Sequence, residues 1–402
     1  VGDVLARWSR GGIGTNAALY VGHGSVRAAV LGARSRAPSP AELRRMESLV
    51  DRAMREGALG LSSGLYYTPG SFATTDEVIA LARVAGTRGG VYDTHLRDES
   101  SYNVGLLGAV DEALRIGREG RIPVHLSHIK ALGTDAWGKA DTVVAHVREA
   151  IANGLEVTAD QYPYTASGTA IGAALLPTWA EAGGRDSLRA RAADPTTRAR
   201  LLADMRENLR RRGGAEAMLI TGSRIAGIAG RRLSDIARDR GGEPAAVALD
   251  LILAGDADVA SFNMREEDIR RFMREEWVMT GSDGSDGHPR KYGTYPRLLR
   301  QYVFGADPAM SLERAVRRSS SLPAKALHLG DRGELRVGAR ADVIVFDSAT
   351  VADRATYEAP TRLATGMRWV VVNGRVAVRD GKPTGVLAGR GLRRGGAPAP
   401  PR

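Results

Sequence analysis

Three residues of this 402-residue chain combine a reactive side chain with a revealing position. His95 closes the apolar run GVYDTH (Gly90–His95), His128 closes PVHLSH (Pro123–His128), and Asp283 closes VMTGSD (Val278–Asp283). Two neutral imidazoles and a carboxylate, each at the end of a strand-like run, are the donor types of a hydrolytic metal site. The carboxylate could accept a proton from an attacking water and return it to a leaving amine. Glycines on both sides of Asp283, in TGSDGSDGHPR, let the backbone approach a ligand closely, while Asp286 reads as part of the turn. The chain has no cysteine, so any metal must be held by His, Asp or Glu.

The other histidines read differently. His125 and His128 lie three apart on one run, so strict alternation sends them to opposite faces. The strand end favours His128, leaving His125 as a packing residue on the outer layer. His146 falls in a helical pattern and reads as a surface residue. His328 follows a helix and reads as structural. His23, in YVGHG, stands at a run's end and is a weaker pocket candidate.

These ends are only useful if a scaffold brings them together. Runs at Asn16–His23, Ala58–Leu65, Gly90–His95, Pro123–His128, Leu155–Tyr162 and Val278–Asp283 alternate with helical patterns at Pro40–Glu56, Thr75–Gly89, Asn103–Gly120 and Lys139–Asn153. That alternation predicts parallel βα units. Six are visible, whereas a closed (β/α)8 barrel has eight. The expectation is an α/β, TIM-like barrel whose first two units, roughly 30 residues each, precede Val1. In such a barrel the C-terminal strand ends line the active site. Between Tyr164 and Trp277 the alternation lapses, with helical patterns at Pro195–Arg212 and Arg232–Arg240 and apolar runs at Ala217–Ile220 and Ala257–Phe262. A stretch of that length is too long for a βα loop and predicts an insertion over the barrel mouth, about residues 165–276. After Pro323 the pattern turns β-rich, with an Asn373–Gly374 hairpin signal, predicting a small β domain at 333–389. The tail GRGLRRGGAPAPPR predicts disorder over 390–402.

Composition narrows the function classes. Hydrophobic residues make up 43%, as in ordinary globular proteins, and no run approaches the roughly 18 apolar residues of a membrane span. No secretory-type leader is visible, and the reading is cytoplasmic. The net charge of +11 is spread along helices, often beside Asp or Glu, and is not gathered with aromatics into a basic patch. Nucleic-acid binding is therefore not expected.

Longer segments carry a resemblance. YVGHGSVR (20–27), GALGLSSGLYYTPGSFATTDE (57–77), THLRDES (94–100), HLSHIKALG (125–133), DQYPYTASGT (160–169), TGSDG with HPRKYGTYPR (280–297), SLPAKALHLGDRGELRVGARADVIVFD (321–347) and VVVNGRVAV (370–378) resemble the N-acyl-D-amino-acid deacylase (D-aminoacylase) group of the metal-dependent amidohydrolases, almost from end to end. The resemblance implies zinc-dependent hydrolysis of an N-acyl-D-amino acid, a small-molecule substrate. His95 and His128 match zinc ligands and Asp283 the catalytic aspartate. Tyr67 and Arg290 match residues that bind the substrate carboxylate, and Lys130 and Tyr162 match residues facing the pocket. It also implies metal ligands upstream of Val1: a His-x-His pair and, in many members, a cysteine. Related cyclic-amide hydrolases or D-dipeptidases, and an inactive fragment, are the alternatives.

Overall fold

A computed structural model describes residues 1–395. Five parallel strands come first: β1 (Val21–Gly22), β2 (Gly60–Gly64), β3 (Val91–His95), β4 (Val124–Leu126) and β5 (Val157–Gln161). An inserted segment supplies β6 (Ala166–Ala170), β7 (Met218–Ser223) and β8 (Ala257–Phe262), and β9 (Val278–Thr280) returns to the first sheet. The order there is β1-β2-β3-β4-β5-β9, parallel throughout. Among the described residues neither outer edge, β1 or β9, has a further strand partner.

The helices between these strands follow from local signals. Helix Pro40–Arg55 starts with a capping box, in which Ser39 accepts from the Glu42 N–H and Glu42 accepts from the Ser39 N–H, and has Pro at its first turn. Its apolar stripe buries Met46, Val50, Ala53 and Met54. The Thr74 side chain caps Thr75–Thr87 by accepting from the Glu77 N–H. These helices, with Gly105–Gly120 and Ala140–Ala152, pack against one face of the sheet in a continuous core that includes Val78, Leu81, Val110, Leu114, Val143 and Phe272. The opposite face of the sheet is polar. Asp93, His125 and Thr158 are register partners across β3, β4 and β5, with Asp160 two residues along. His125 is therefore an inward-facing residue bonded to Thr158 (2.9 Å) and Asp160 (3.1 Å), not an outer packing residue.

The insertion carries its own core, with Leu201, Met205, Ile220, Leu249 and Val259 buried. It holds the antiparallel sheet β6-β8-β7 and the helix Pro195–Arg211. A separate antiparallel sheet follows, from β10 (Val343–Phe346), β11 (Met367–Val372), β12 (Arg375–Arg379) and β13 (Lys382–Pro383). Asn373 and Gly374 both have positive φ between β11 and β12, the hairpin geometry their types predict. The expected disordered tail needs correction at its start. Gly389 bridges to Ile13, the Leu392 N–H donates to the Ala17 carbonyl, and the Arg394 N–H donates to the Gly57 carbonyl. Backbone pairing with Ile13, Ala17 and Gly57 orders this segment through Arg394; residues 396–402 lie outside the described part. Among the described residues no helix is long and apolar enough to cross a membrane.

Candidate active site

The C-terminal ends of β3, β4 and β9 converge on one cavity of about 250 Å³, walled on the far side by β6 of the insertion. His95, the last residue of β3, shares its face with Asp93. His128 lies two residues beyond β4 in a left-handed conformation (φ 38°), and this turn brings it to the same side as His125 despite their odd spacing. The Asp160 carboxylate secures the turn by accepting from the His128 N–H at 2.7 Å. Burial alone would raise the Asp160 carboxyl, but His125 and the His128 N–H pull it down to about 2.

His95 Nδ1 and His128 Nε2 face each other at 2.9 Å. Burial, with His128, Lys130 and Arg212 nearby, outweighs Glu99 and holds the His95 pKa down to about 3, so the ring is neutral with a lone pair to offer. Glu99 closes the group. It lies four residues after His95, is 5% exposed, and approaches the outward nitrogens of both rings: His128 Nδ1 at 3.2 Å and His95 Nε2 at 3.9 Å. One donor atom from each of His95, Glu99 and His128 falls within 4.8 Å of the others. Two imidazoles and a carboxylate fit a divalent, borderline-soft metal such as zinc. Glu99 suits either a ligand or the outer carboxylate that fixes the tautomer of a ligating histidine. Lys130, also buried, pairs with Glu99 and lies 2.7 Å from His128 Nδ1.

Asp283 stands on the cavity wall, also with positive φ (43°). Its Oδ2 lies 2.8 Å from Arg290 Nη1, an ion pair that lacks hydrogen-bond alignment. Arg290 is buried and does not itself line the cavity. It sits behind Gly168, where an added Cβ would stand 3.1 Å from its Nη2, and its guanidinium lies 4.6 Å from the Tyr162 ring centroid. The absent side chain of Gly168 thus leaves a window between Arg290 and the cavity. Tyr67 and Tyr162 both line the wall, with the Tyr67 ring 4.9 Å from that of His95.

All seven residues marked in the sequence therefore gather at or directly behind one cavity. His23 does not: it is fully buried elsewhere, bonded to Glu77 at 2.9 Å, with Arg27 on the same carboxylate. His146 is paired at the surface with Asp111. Two charged residues of the cavity wall escaped the sequence reading, Glu99 and Arg212. For Glu99 a signal existed, an acid trailing His95 by four and a lysine trailing His128 by two. For Arg212, on the insertion, none did.

A family model described as the amidohydrolase family matches residues 13–378. The chain belongs to this family. Among its relatives, the D-aminoacylase of Alcaligenes xylosoxydans xylosoxydans is 36% identical over 386 residues, covering 94% of this chain and 70% of the relative. The N-acyl-D-glutamate deacylase of the same organism is also 36% identical, over 383 residues, with the same coverage. The solved N-acyl-D-glutamate deacylase of Bordetella bronchiseptica, complexed with zinc and a phosphonate inhibitor that mimics the tetrahedral intermediate, superposes with a TM-score of 0.80 at 33% identity. It covers 98% of this chain and 75% of that one. The parallel sheet and the small antiparallel sheet of this amidohydrolase are thus those of the family, and that solved relative holds zinc.

Proposed function

We propose that this protein hydrolyses the amide bond of N-acyl-D-amino acids, with zinc, to a carboxylate and a free D-amino acid. The observation that carries the reading is the placement of His95, Glu99 and His128 in one cavity opposite the Asp283–Arg290 pair, in a chain 36% identical to a D-aminoacylase. His95 and His128, with Glu99 beside them, are the residues that would hold zinc. When bound, zinc supplies Lewis-acid polarisation of the scissile carbonyl and lowers the pKa of water towards ~7.

The chain's own groups do the rest. Asp283 accepts the proton of the attacking water on a carboxylate oxygen and delivers it to the departing nitrogen. Arg290, ion-paired with that carboxylate, positions it, and through the Gly168 window it meets the substrate's α-carboxylate. A guanidinium fork and a phenol suit that planar group, so Tyr67 shares the contact, with Lys130 and Tyr162 on the adjoining wall. The inserted segment, about 165–276, covers the mouth and excludes water. The same reading divides the chain into a barrel portion (1–332) and a small β domain (333–389), in a cytoplasmic setting. Zinc-loaded protein should release the free amino acid from an N-acetyl-D-amino acid but not from its L-enantiomer. Loss should follow chelation and return with zinc. Hydrolysis that survives chelation, or that acts only on cyclic amides, refutes it.

A further inference from the structure

Arg212 follows the helix Pro195–Arg211 and is 3% exposed, yet it lines the catalytic cavity. Its Nε donates to the Ala174 carbonyl (3.2 Å) and its Nη1 to the Ser261 hydroxyl (3.3 Å), and its guanidinium lies 5.7 Å from the Tyr102 ring centroid. Every one of these partners is neutral. Among the described residues no carboxylate lies within ion-pair distance of it, and the phenols of Tyr66, Tyr67 and Tyr102 line the same cavity.

The rest of the cavity has its charges matched. Lys130 is paired with Glu99, and Arg290 with Asp283, while in the proposed reaction Arg290 also takes the substrate's α-carboxylate. That leaves one buried guanidinium without an anion, and a buried charge without a partner is costly. Its planar fork fits a carboxylate, and burial strengthens the attraction.

We propose that Arg212 is a specificity residue that pairs with a second carboxylate on the substrate, so that the preferred substrates are N-acyl-D-amino acids bearing two. This rests on the deacylase reading above. The second carboxylate can stand on the amino-acid side chain or at the far end of the acyl group, and matched pairs separate the two. One pair is N-acetyl-D-glutamate against N-acetyl-D-glutamine. The other is N-succinyl-D-leucine against its terminal amide.

For one of the pairs, kcat/KM of the zinc-loaded protein should favour the carboxylate by about 10²-fold or more, since a site built for a polar partner is left unpaired by the analogue. Arg212→Met should collapse that ratio, and Arg212→Lys should restore part of it. Calorimetric titration with the products D-glutamate and D-glutamine gives a readout without turnover. If the side chain carries the second carboxylate, D-glutamate binds more tightly, and Arg212→Met removes the difference. Ratios near unity for both pairs overturn the proposal. So does a ratio that survives Arg212→Met, which would mean that Arg212 only ties the insertion together. Hydrolysis of none of the four compounds sinks the deacylase reading instead. The titration, extended to succinate against succinamate for the acyl end, then decides on Arg212 alone: an Arg212-dependent preference for the dicarboxylate in either pair supports the proposal, and equal binding in both pairs overturns it.

Discussion

Replacing Glu99 by Gln tests the centre of the site, because one carboxylate there serves three neighbours. It pairs with the Lys130 ammonium and approaches the outward nitrogens of His128 and His95. Both Glu99 and Lys130 are 5% exposed, so the amide leaves an ammonium in a dry site without a counter-charge, beside only the neutral amide oxygen and His128 Nδ1 at 2.7 Å. Breaking a buried pair from one side costs about 3–5 kcal/mol. Loss of the carboxylate that orients metal-ligating histidines weakens metal affinity by about 10–100-fold. Urea denaturation of the metal-free protein should show the first effect as a lower midpoint at unchanged slope. Competition with a chromophoric chelator should show the second. In the double variant Glu99→Gln/Lys130→Met the stability should return most of the way, because no charge is left unpaired, while the metal affinity should not. A single variant with the parent's midpoint and the parent's zinc affinity would refute the argument.

Three further outcomes follow from the same geometry. Asp283→Asn keeps the side chain's shape but cannot take up a proton; kcat should fall by about 10²–10⁴-fold, with zinc content by elemental analysis unchanged. Gly168→Ala places a methyl 3.1 Å from Arg290 Nη2 and closes the window to the cavity, so KM for an N-acetyl-D-amino acid should rise about tenfold with little change in fold by circular dichroism. His288 is 2% exposed and is pushed down to about 3 by burial and by Arg290, only partly opposed by the Ala166 carbonyl. The unfolded chain therefore takes up this proton first. Its contribution is whole above about pH 6.5 and is lost as pH falls towards 3, at up to about 1.4 kcal/mol per pH unit. Urea midpoints between pH 7 and 4.5 should fall less steeply in His288→Asn, and parallel slopes would count against it.

Much of this architecture was legible in the sequence because each βα unit carries its own signals: apolar runs of strand length, then capped amphipathic helices such as Pro40–Arg55. His95 and Asp283 could be found from position alone. His125 could not, because period-two alternation holds only while the strand lasts. β4 ends at Leu126, and the left-handed turn at His128 resets the parity, so both histidines face inward. Glu99 and Arg212 were missed for a different reason. They sit in a loop and at a helix end, where no periodicity fixes direction, and only tertiary packing aims them at the cavity. The start of the tail looked disordered from its composition, but its order comes from backbone pairing with Ile13, Ala17 and Gly57, which composition does not encode.

His128 and Asp283 share one further property: both hold φ near +40°, a region that side-chain-bearing residues enter at a cost and glycine enters freely. At these two positions the fold by itself would prefer glycine, and the substitution would relax the backbone while removing the reactive group. Selection for stability and selection for turnover therefore pull in opposite directions there. A lineage of this chain released from its reaction should drift towards glycine at 128 and 283 first, and the inward row of Asp93, His125 and Asp160 should follow later. The order of such losses would serve as a molecular record of when the chemistry was abandoned.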